Sequence, residues 1–310
     1  MELPAILQDL PHLKVILAIM TVTTLVLGLL VNLLEPYLPA FVIQALRYGK
    51  FAYKGPKQSW IKPIEFPKSY FKHFYYFAAF YTSYITYLTF FVYYGNASVP
   101  HWFIKFLDLL ASSKREATVS SGRVLVALLL LSLQCWRRLY ETTCVSVFSS
   151  GKINLAQYLA GFFHYLFAAA AIVAEAPVFA SKGKRVSEDD GLSAISIAAV
   201  GIFLWAFIHQ YRTAVILADL RKDGKGKVVT TKHRIPEGDW FEAVSSPHLL
   251  AEILMYLTLT MLLWNNTCWL FILVWVLVNQ IETALLSHWW YKDTFKDYPK
   301  ERRALIPWIF

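Results

Sequence analysis

Charge is scarce in this chain. Only 16% of its 310 residues are Asp, Glu, Lys or Arg, against about 25% in an ordinary soluble domain. With 57% hydrophobic residues, that shortage excludes a typical water-exposed globule. Cysteine is nearly missing as well. Cys135, Cys144 and Cys268 are an odd set without C-x-x-C spacing, which supports neither a disulfide framework nor a zinc site. The glycine fingerprints G-x-G-x-x-G and G-x-x-x-x-G-K-[ST] do not occur, so a Rossmann dinucleotide site and a P-loop are unsupported. G-x-S-x-G and H-E-x-x-H are absent too, and His233, His248 and His288 show no metal-ligand spacing, so no metal is expected. The alternating ten-residue segments of a β-barrel are missing.

What the chain has is apolar runs of bilayer length. Seven are expected, at roughly 13–34, 70–94, 122–147, 153–176, 192–217, 249–264 and 268–287. The fold class expected is all-α: a polytopic membrane protein of seven transmembrane helices in one domain spanning 1–310, with loops on one side forming the functional site. The first run is long and reads as a retained anchor, not a cleaved signal. The second is dominated by Tyr, Phe and Thr, a texture that suits helix packing or a polar cavity.

The formal net charge is +9. The cations lie in loops, which reads as topology and contact with anionic lipid, not as a nucleic-acid surface. A basic loop could also attract a phosphorylated ligand. Residues 35–69, 218–248 and the tail after 291 hold most of them, including Arg47, Lys50, Lys54, Lys57, Lys62, Lys68, Arg221, Lys232 and Arg234. In a seven-span arrangement these fall on one side, cytosolic by the positive-inside rule, with the N-terminus luminal. Lys105, Lys114, Arg115, Lys182, Lys184 and Arg185 fall opposite, as do the sequons at Asn96 and Asn265. Loop tips are expected at Gly183-Lys184 and Gly224-Lys225-Gly226.

Polar groups beside hydrocarbon are costly unless they bind one another or a ligand. Arg137, Arg138 and Glu141 interrupt the third run, and Arg137 and Glu141 share a helical face. Adjacent arginines point about 100° apart, so one carboxylate is expected to satisfy only one of them. Glu65 precedes the second run, as a dipole partner of that helix or as a carboxyl held protonated at an apolar mouth. His248 and Glu252 share a face four residues apart. Residues 233–252 and 287–310 form two polar blocks against membrane runs. The residues alone therefore point to a membrane-embedded polar cavity, open to one side, that holds an anionic ligand beside a lipid.

These blocks resemble the steroid 5α-reductase family. The resemblance rests on Arg234-Ile235-Pro236-Glu237-Gly238-Asp239-Trp240-Phe241-Glu242, on Val244-Ser245-Ser246-Pro247, and on the ending that starts Asp297-Tyr298-Pro299-Lys300. Leu46-Arg47-Tyr48-Gly49-Lys50, residues 66–75 and Arg137-Arg138-Leu139-Tyr140-Glu141 resemble its polyprenol-reducing branch. The resemblance implies an endoplasmic reticulum enzyme that uses NADPH to reduce a carbon–carbon double bond, with a polyisoprenoid lipid as substrate in dolichol synthesis for N-glycosylation. By matched position it implies Arg138, Arg221, Arg234, His248, Glu252, His288 and Tyr291 at the cofactor and Glu65 beside the substrate as the proton donor. Two positions depart from the family: Cys135 stands where steroid-reducing members carry tyrosine, and His248 where asparagine is common.

Hydride adds readily only to an alkene conjugated to a carbonyl, where charge collects on oxygen. The expected immediate substrate is therefore the α,β-unsaturated aldehyde, with the alcohol as the pathway-level substrate. Steroid and trans-2-enoyl-CoA reduction on the same scaffold, an isoprenylcysteine-type methyltransferase, and a seven-span receptor or transporter are the alternatives.

Overall fold

The computed structural model describes residues 10–56, 58–180 and 192–309. Lys57, Lys182, Gly183, Lys184 and Arg185 lie outside the described residues. The helices are α1 His12–Leu33, α2 Ala40–Leu46, α3 Phe71–Tyr94, α4 His101–Ala111, α5 Ser121–Tyr140, α6 Leu155–Ala174, α7 Ala194–Asp219, α8 Pro247–Leu262 and α9 Thr267–Thr294. Four of them, α1, α6, α7 and α9, are long and apolar enough to cross a membrane, which makes this a multi-pass membrane protein. The other three long helices occupy the remaining expected positions. α8 is only 16 residues long, and α5 ends in an arginine pair.

The caps explain where several helices begin. Asn154 opens α6 with a reciprocal capping box, Gln157 N donating to Asn154 Oδ1 (2.8 Å) and Asn154 N to Gln157 Oε1 (3.1 Å). Asn266 caps α9 by accepting from Trp269 N at 2.9 Å. Pro247 starts α8, where no amide donor is needed. The α3 hydroxyls hide their polarity locally: Thr82 and Thr86 donate to the carbonyls of Ala78 and Thr82, each at 2.7 Å.

Packing follows small residues. Ala168, Ala169, Ala170 and Ala171 of α6 are completely buried, which lets neighbouring backbones approach closely. One end of the bundle is closed by Glu175, which accepts from Thr267 N (2.8 Å), Thr267 Oγ1 (2.5 Å), Cys268 N (3.2 Å) and Thr118 Oγ1 (3.1 Å). Lys14 sits 3.6 Å from the same carboxylate. Every hydrogen-bonding demand of that buried acid is met, so the staple leaves nothing for a ligand.

The chain is mostly helical; one short ribbon is added, strands β1 Glu65–Pro67 and β2 Lys152–Asn154 pairing antiparallel with Phe66 opposite Ile153. Two expectations need correction. The third run does not reach residue 147. α5 passes unbroken through Arg137 and Arg138, then loosens into one π-turn at Glu141–Val145. And one carboxylate does satisfy both arginines. Glu141 takes Arg137 on Oε1 and Arg138 on Oε2, because long side chains three and four residues back converge on it despite diverging Cβ vectors.

Candidate functional site

At the opposite end from Glu175, the loops and helix termini enclose a cavity of about 350 Å³. Its walls come from the segment after α2, the start of α3, the end of α5 with its π-turn, the last turns of α7, the 232–248 loop and the last turns of α9. Lys50, Lys68, Arg138, Arg221, Lys232 and Arg234 line it, and among the described residues no Asp or Glu does. This is the central physical fact about the site. Gathered cations without counter-charge are costly, so the site is built for an anion.

The electrostatics agree. Burial pushes the Lys50 amine well below the usual lysine range, and Lys68 and Arg221 push it further. Lys68 is lowered by burial and by Arg221. His233 is held down at about 4 by burial and by Arg221, Lys50 and Lys68, so it is neutral and its Nδ1 faces Arg221 Nη2 at 3.2 Å. Arg221 also donates to the Val147 carbonyl. Lys50 Nζ donates to Ser287 Oγ at 2.7 Å and lies 4.3 Å from the Tyr291 ring centroid and 4.8 Å from that of Trp290. Aromatic faces hold that ammonium in place without neutralising it.

Behind the inner wall runs a polar chain through the helices. Arg138 donates to the Tyr75 hydroxyl from Nη2 (3.0 Å) and Nε (3.2 Å). Arg137 Nη2 donates to Gln134 Oε1 at 2.6 Å and also to Gln210. Gln210 Nε2 donates to Glu252 Oε2 (2.5 Å) and to the His248 carbonyl (2.8 Å). Arg137 and Arg138 face Glu141 and Glu252, so the buried charges balance.

Arg138, Arg221, Arg234, His248 and Tyr291, the positions that the resemblance implied at the cofactor, all line this one cavity. Glu252 and His288 do not line it. Glu252 stands behind Gln210. His288 Nδ1 bonds Ser245 Oγ at 2.7 Å, and Tyr298 OH reaches the same oxygen at 2.6 Å. Ser245 completes the set by donating to the Arg303 carbonyl at 2.9 Å. Arg302 Nη1 donates to the Pro236 carbonyl at 3.0 Å. His288, Tyr298, Arg302 and Arg303 thus clasp the 232–248 loop, while Ser287 and Tyr291 of the same block line the cavity.

Glu65 is also outside this cavity. It lies in β1, pairs with Lys152 Nζ at 3.1 Å, and lines a neighbouring recess of about 420 Å³. The two recesses share Tyr48, Gly49, Lys50, Ser149 and His233. Lys50, Lys68, Gln210 and Ser245 were not picked out by sequence as site residues. The two lysines stood in the branch-like segments 46–50 and 66–75 but were given no role beyond loop charge, and Gln210 sits unmarked in an apolar run.

The family model described as "3-oxo-5-alpha-steroid 4-dehydrogenase" matches residues 152–310. Relatives named "Polyprenal reductase" align over nearly the whole chain. That of Drosophila melanogaster is 37% identical over 292 residues, covering 93% of this chain and 90% of the relative. That of Xenopus tropicalis is 36% identical over 270 residues, covering 86% and 87%. That of Homo sapiens is 33% identical over 291 residues, covering 92% of each. With the helical frame and the shared C-terminal blocks, these matches mean that the chain belongs to the steroid 5α-reductase family, as an oxidoreductase acting on carbon–carbon double bonds.

Proposed function

We propose that this protein reduces the α-isoprene double bond of polyprenal, with NADPH as reductant, and so performs the reductive step from polyprenol toward dolichol for N-glycosylation. It does so as one domain crossing the endoplasmic reticulum membrane seven times, its N-terminus luminal and its C-terminus cytosolic. The observation that carries this reading is the acid-free, cation-lined cavity, in a chain whose relatives are named for the enal. A dinucleotide phosphate fits that donor set. Its phosphates would supply the counter-charge that Lys50, Lys68, Arg221 and Arg234 lack among the described residues, where His248 Nδ1 and Ser246 Oγ are also buried polar atoms without a partner.

When bound, the reduced nicotinamide supplies a hydride. The protein's own part is to bind and orient. Arg221, Arg234, Lys50 and Lys68 would hold the phosphate groups, and Tyr291 carries Lys50 on its ring face. Arg138 and His248 line the same cavity. Glu252 and His288 stand one layer back, setting Gln210 and Ser245. Glu65 belongs to the adjoining recess. The isoprenoid tail is longer than either recess and runs out between helices into the bilayer, which keeps water from the reacting carbons.

The test is purified protein in lipid nanodiscs with NADPH and either lipid. Oxidation of NADPH with polyprenal, and none with polyprenol, is the expected result. Faster turnover of the alcohol would overturn the reading.

The Lys50 turn depends on two glycines. Gly49 has φ +57°, and a Cβ on Gly151 would lie 3.1 Å from the Gly49 Cα. Gly151→Val is expected to displace Lys50 and weaken NADPH binding about tenfold by loss of one charge-assisted contact. Fluorescence titration of the cofactor measures this. Unchanged affinity would mean that the turn does not position Lys50.

A further inference from the structure

We infer that Gln44 holds the substrate's carbonyl oxygen in the Glu65 recess, beside the cationic cavity: its side-chain amide donates to the charge that hydride addition puts on that oxygen. The inference rests on the enal-reductase reading and gives the aldehyde head a place to bind. Gln44 belongs to α2, is 5% exposed, and lines this recess of about 420 Å³ together with Glu65. The backbone N–H of Gln58 donates to Gln44 Oε1 at 2.8 Å. A backbone N–H can only donate, so that contact fixes which end of the amide is oxygen and leaves Nε2 as the free end. Nε2 is buried and has no acceptor among the described residues. Native proteins leave few buried donors unpaired, and a ligand oxygen would satisfy this one.

The ribbon holds Gln44 in place. Asn154, the register partner of Glu65, donates from Nδ2 to the carbonyl of the next residue, Ala45, at 2.7 Å. The other polar groups of the recess are engaged. Asn154 Oδ1 accepts from Gln157 N, Lys152 pairs with Glu65, and Lys50 donates to Ser287. Arg47 has a free Nε, but its charge is matched by Glu35. Ala45, Ala52, Ile61 and Ile153 supply an apolar lining. One neutral donor among small apolar side chains suits a branched isoprene unit with a single acceptor oxygen. The cationic cavity suits phosphates instead. Glycine separates the two. Gly49 lines both, and Gly151 packs so close that a Cβ on it would lie 3.1 Å from the Gly49 Cα. That stretch of the shared wall is backbone alone, which keeps the two recesses near each other.

Hydride addition at C3 of the enal forms the new C–H bond and breaks the C2=C3 π bond. That electron pair moves between C1 and C2, and the C1=O π pair moves onto oxygen. The Nε2–H of Gln44 holds this charge without giving up its proton. C2 then takes a solvent proton as the carbonyl re-forms. The net change is one hydride from the reduced nicotinamide and one proton added across C2=C3.

Gln44→Met keeps the length of the side chain and removes the donor. Its kcat is expected to fall about 10²–10³-fold, the range for one lost oxyanion donor, with NADPH affinity by fluorescence unchanged. Affinity for a short isoprenoid carboxylate, a mimic of the charged oxygen, should fall about 10–100-fold. The signature of direct contact is infrared. A saturated isoprenoid ketone with an isotope-labelled carbonyl binds but is not reduced. Its C=O stretch should move to lower frequency on binding wild type, and stay at its value in apolar solvent on binding Gln44→Met. A merely structural glutamine would leave the shift in place. Should Gln44→Met fail to fold, Gln44→Asn keeps both ends of the amide and withdraws the donor by one methylene, so the shift should shrink. An unshifted carbonyl in wild type overturns the assignment, as does the full wild-type shift in either variant. A Gln44→Met protein that loses NADPH affinity in step with kcat also overturns it, by moving Gln44 to the cofactor. Wild-type protein inert toward the enal would sink the reductase reading itself. Active wild type with an equally active Gln44→Met sinks only this inference.

Discussion

Glu141→Gln is expected to destabilise the protein by about 3–5 kcal/mol, the range for breaking a buried ion pair from one side. Glu141 is completely buried and is the only carboxylate that Arg137 and Arg138 share by direct contact among the described residues. Glutamine keeps the shape but leaves two guanidinium groups short of a counter-charge where water does not reach. The measurement is thermal unfolding of the detergent-solubilised protein, with a fall in midpoint on the order of 10 °C. A midpoint within 2 °C or so of wild type would show that water or lipid phosphate already neutralises the pair. Replacing Arg137, Arg138 and Glu141 together by apolar residues should recover much of the loss, since buried ion groups often exchange neutrally for packed hydrophobic ones. That variant should fold and still be inactive, because Arg138 no longer lines the cavity. Recovery of both stability and turnover would refute the proposed role of that guanidinium.

Lys50→Met is expected to weaken NADPH binding about 100-fold while the free protein becomes no less stable. The first effect follows from removing one partner of a desolvated phosphate contact, which costs roughly 2–5 kcal/mol. The second follows from the sign of linkage. The Lys50 amine is lowered in the folded protein by burial, then by Lys68 and Arg221. A base with a folded pKa below its unfolded one favours the unfolded chain at low pH, and the penalty lifts as pH rises through the folded value. Deleting that amine therefore removes a cost from the free protein. Cofactor phosphates reverse the shift, so binding takes up protons and affinity falls as pH climbs toward the ordinary lysine range. His233, held at about 4, adds uptake near neutral pH once an anion offsets its cationic neighbours. Calorimetry in two buffers of different ionisation enthalpy counts those protons. Net release, or affinity flat from about pH 6 to 9, would contradict the arrangement. Lys50→Met should bind with fewer protons taken up.

Much of this site was legible as a set of residues and little of it as a geometry. Arg221, Arg234, His248 and Tyr291 could be marked because their positions match the family that the polar blocks resemble. Glu252 and His288 stand in the same blocks, yet they support the lining from behind. A motif records that a polar residue is needed, not whether it faces a ligand or another side chain. Glu65 could be read as an acid at an apolar mouth only until β1 was seen to pair with β2, which brings Lys152 alongside it. Lys50 and Lys68 stood in segments that resemble the polyprenol-reducing branch, but nothing there separated them from ordinary loop lysines, which are usually solvated.

Hydropathy and caps are short-range properties, and they were enough for the positions of the long helices and the membrane class. Each depends on residues within a turn or two of one another, so order along the chain contains them. The cavity depends on pairs far apart in the chain: Lys50 with Ser287, Tyr75 with Arg138, Arg221 with Val147 and Ser245 with Arg303. Whether such a residue is neutralised, desolvated or aimed at a ligand is settled by its neighbours in space. Only the packed bundle brings those neighbours together, and only there does scarce charge become one acid-free, cation-lined pocket.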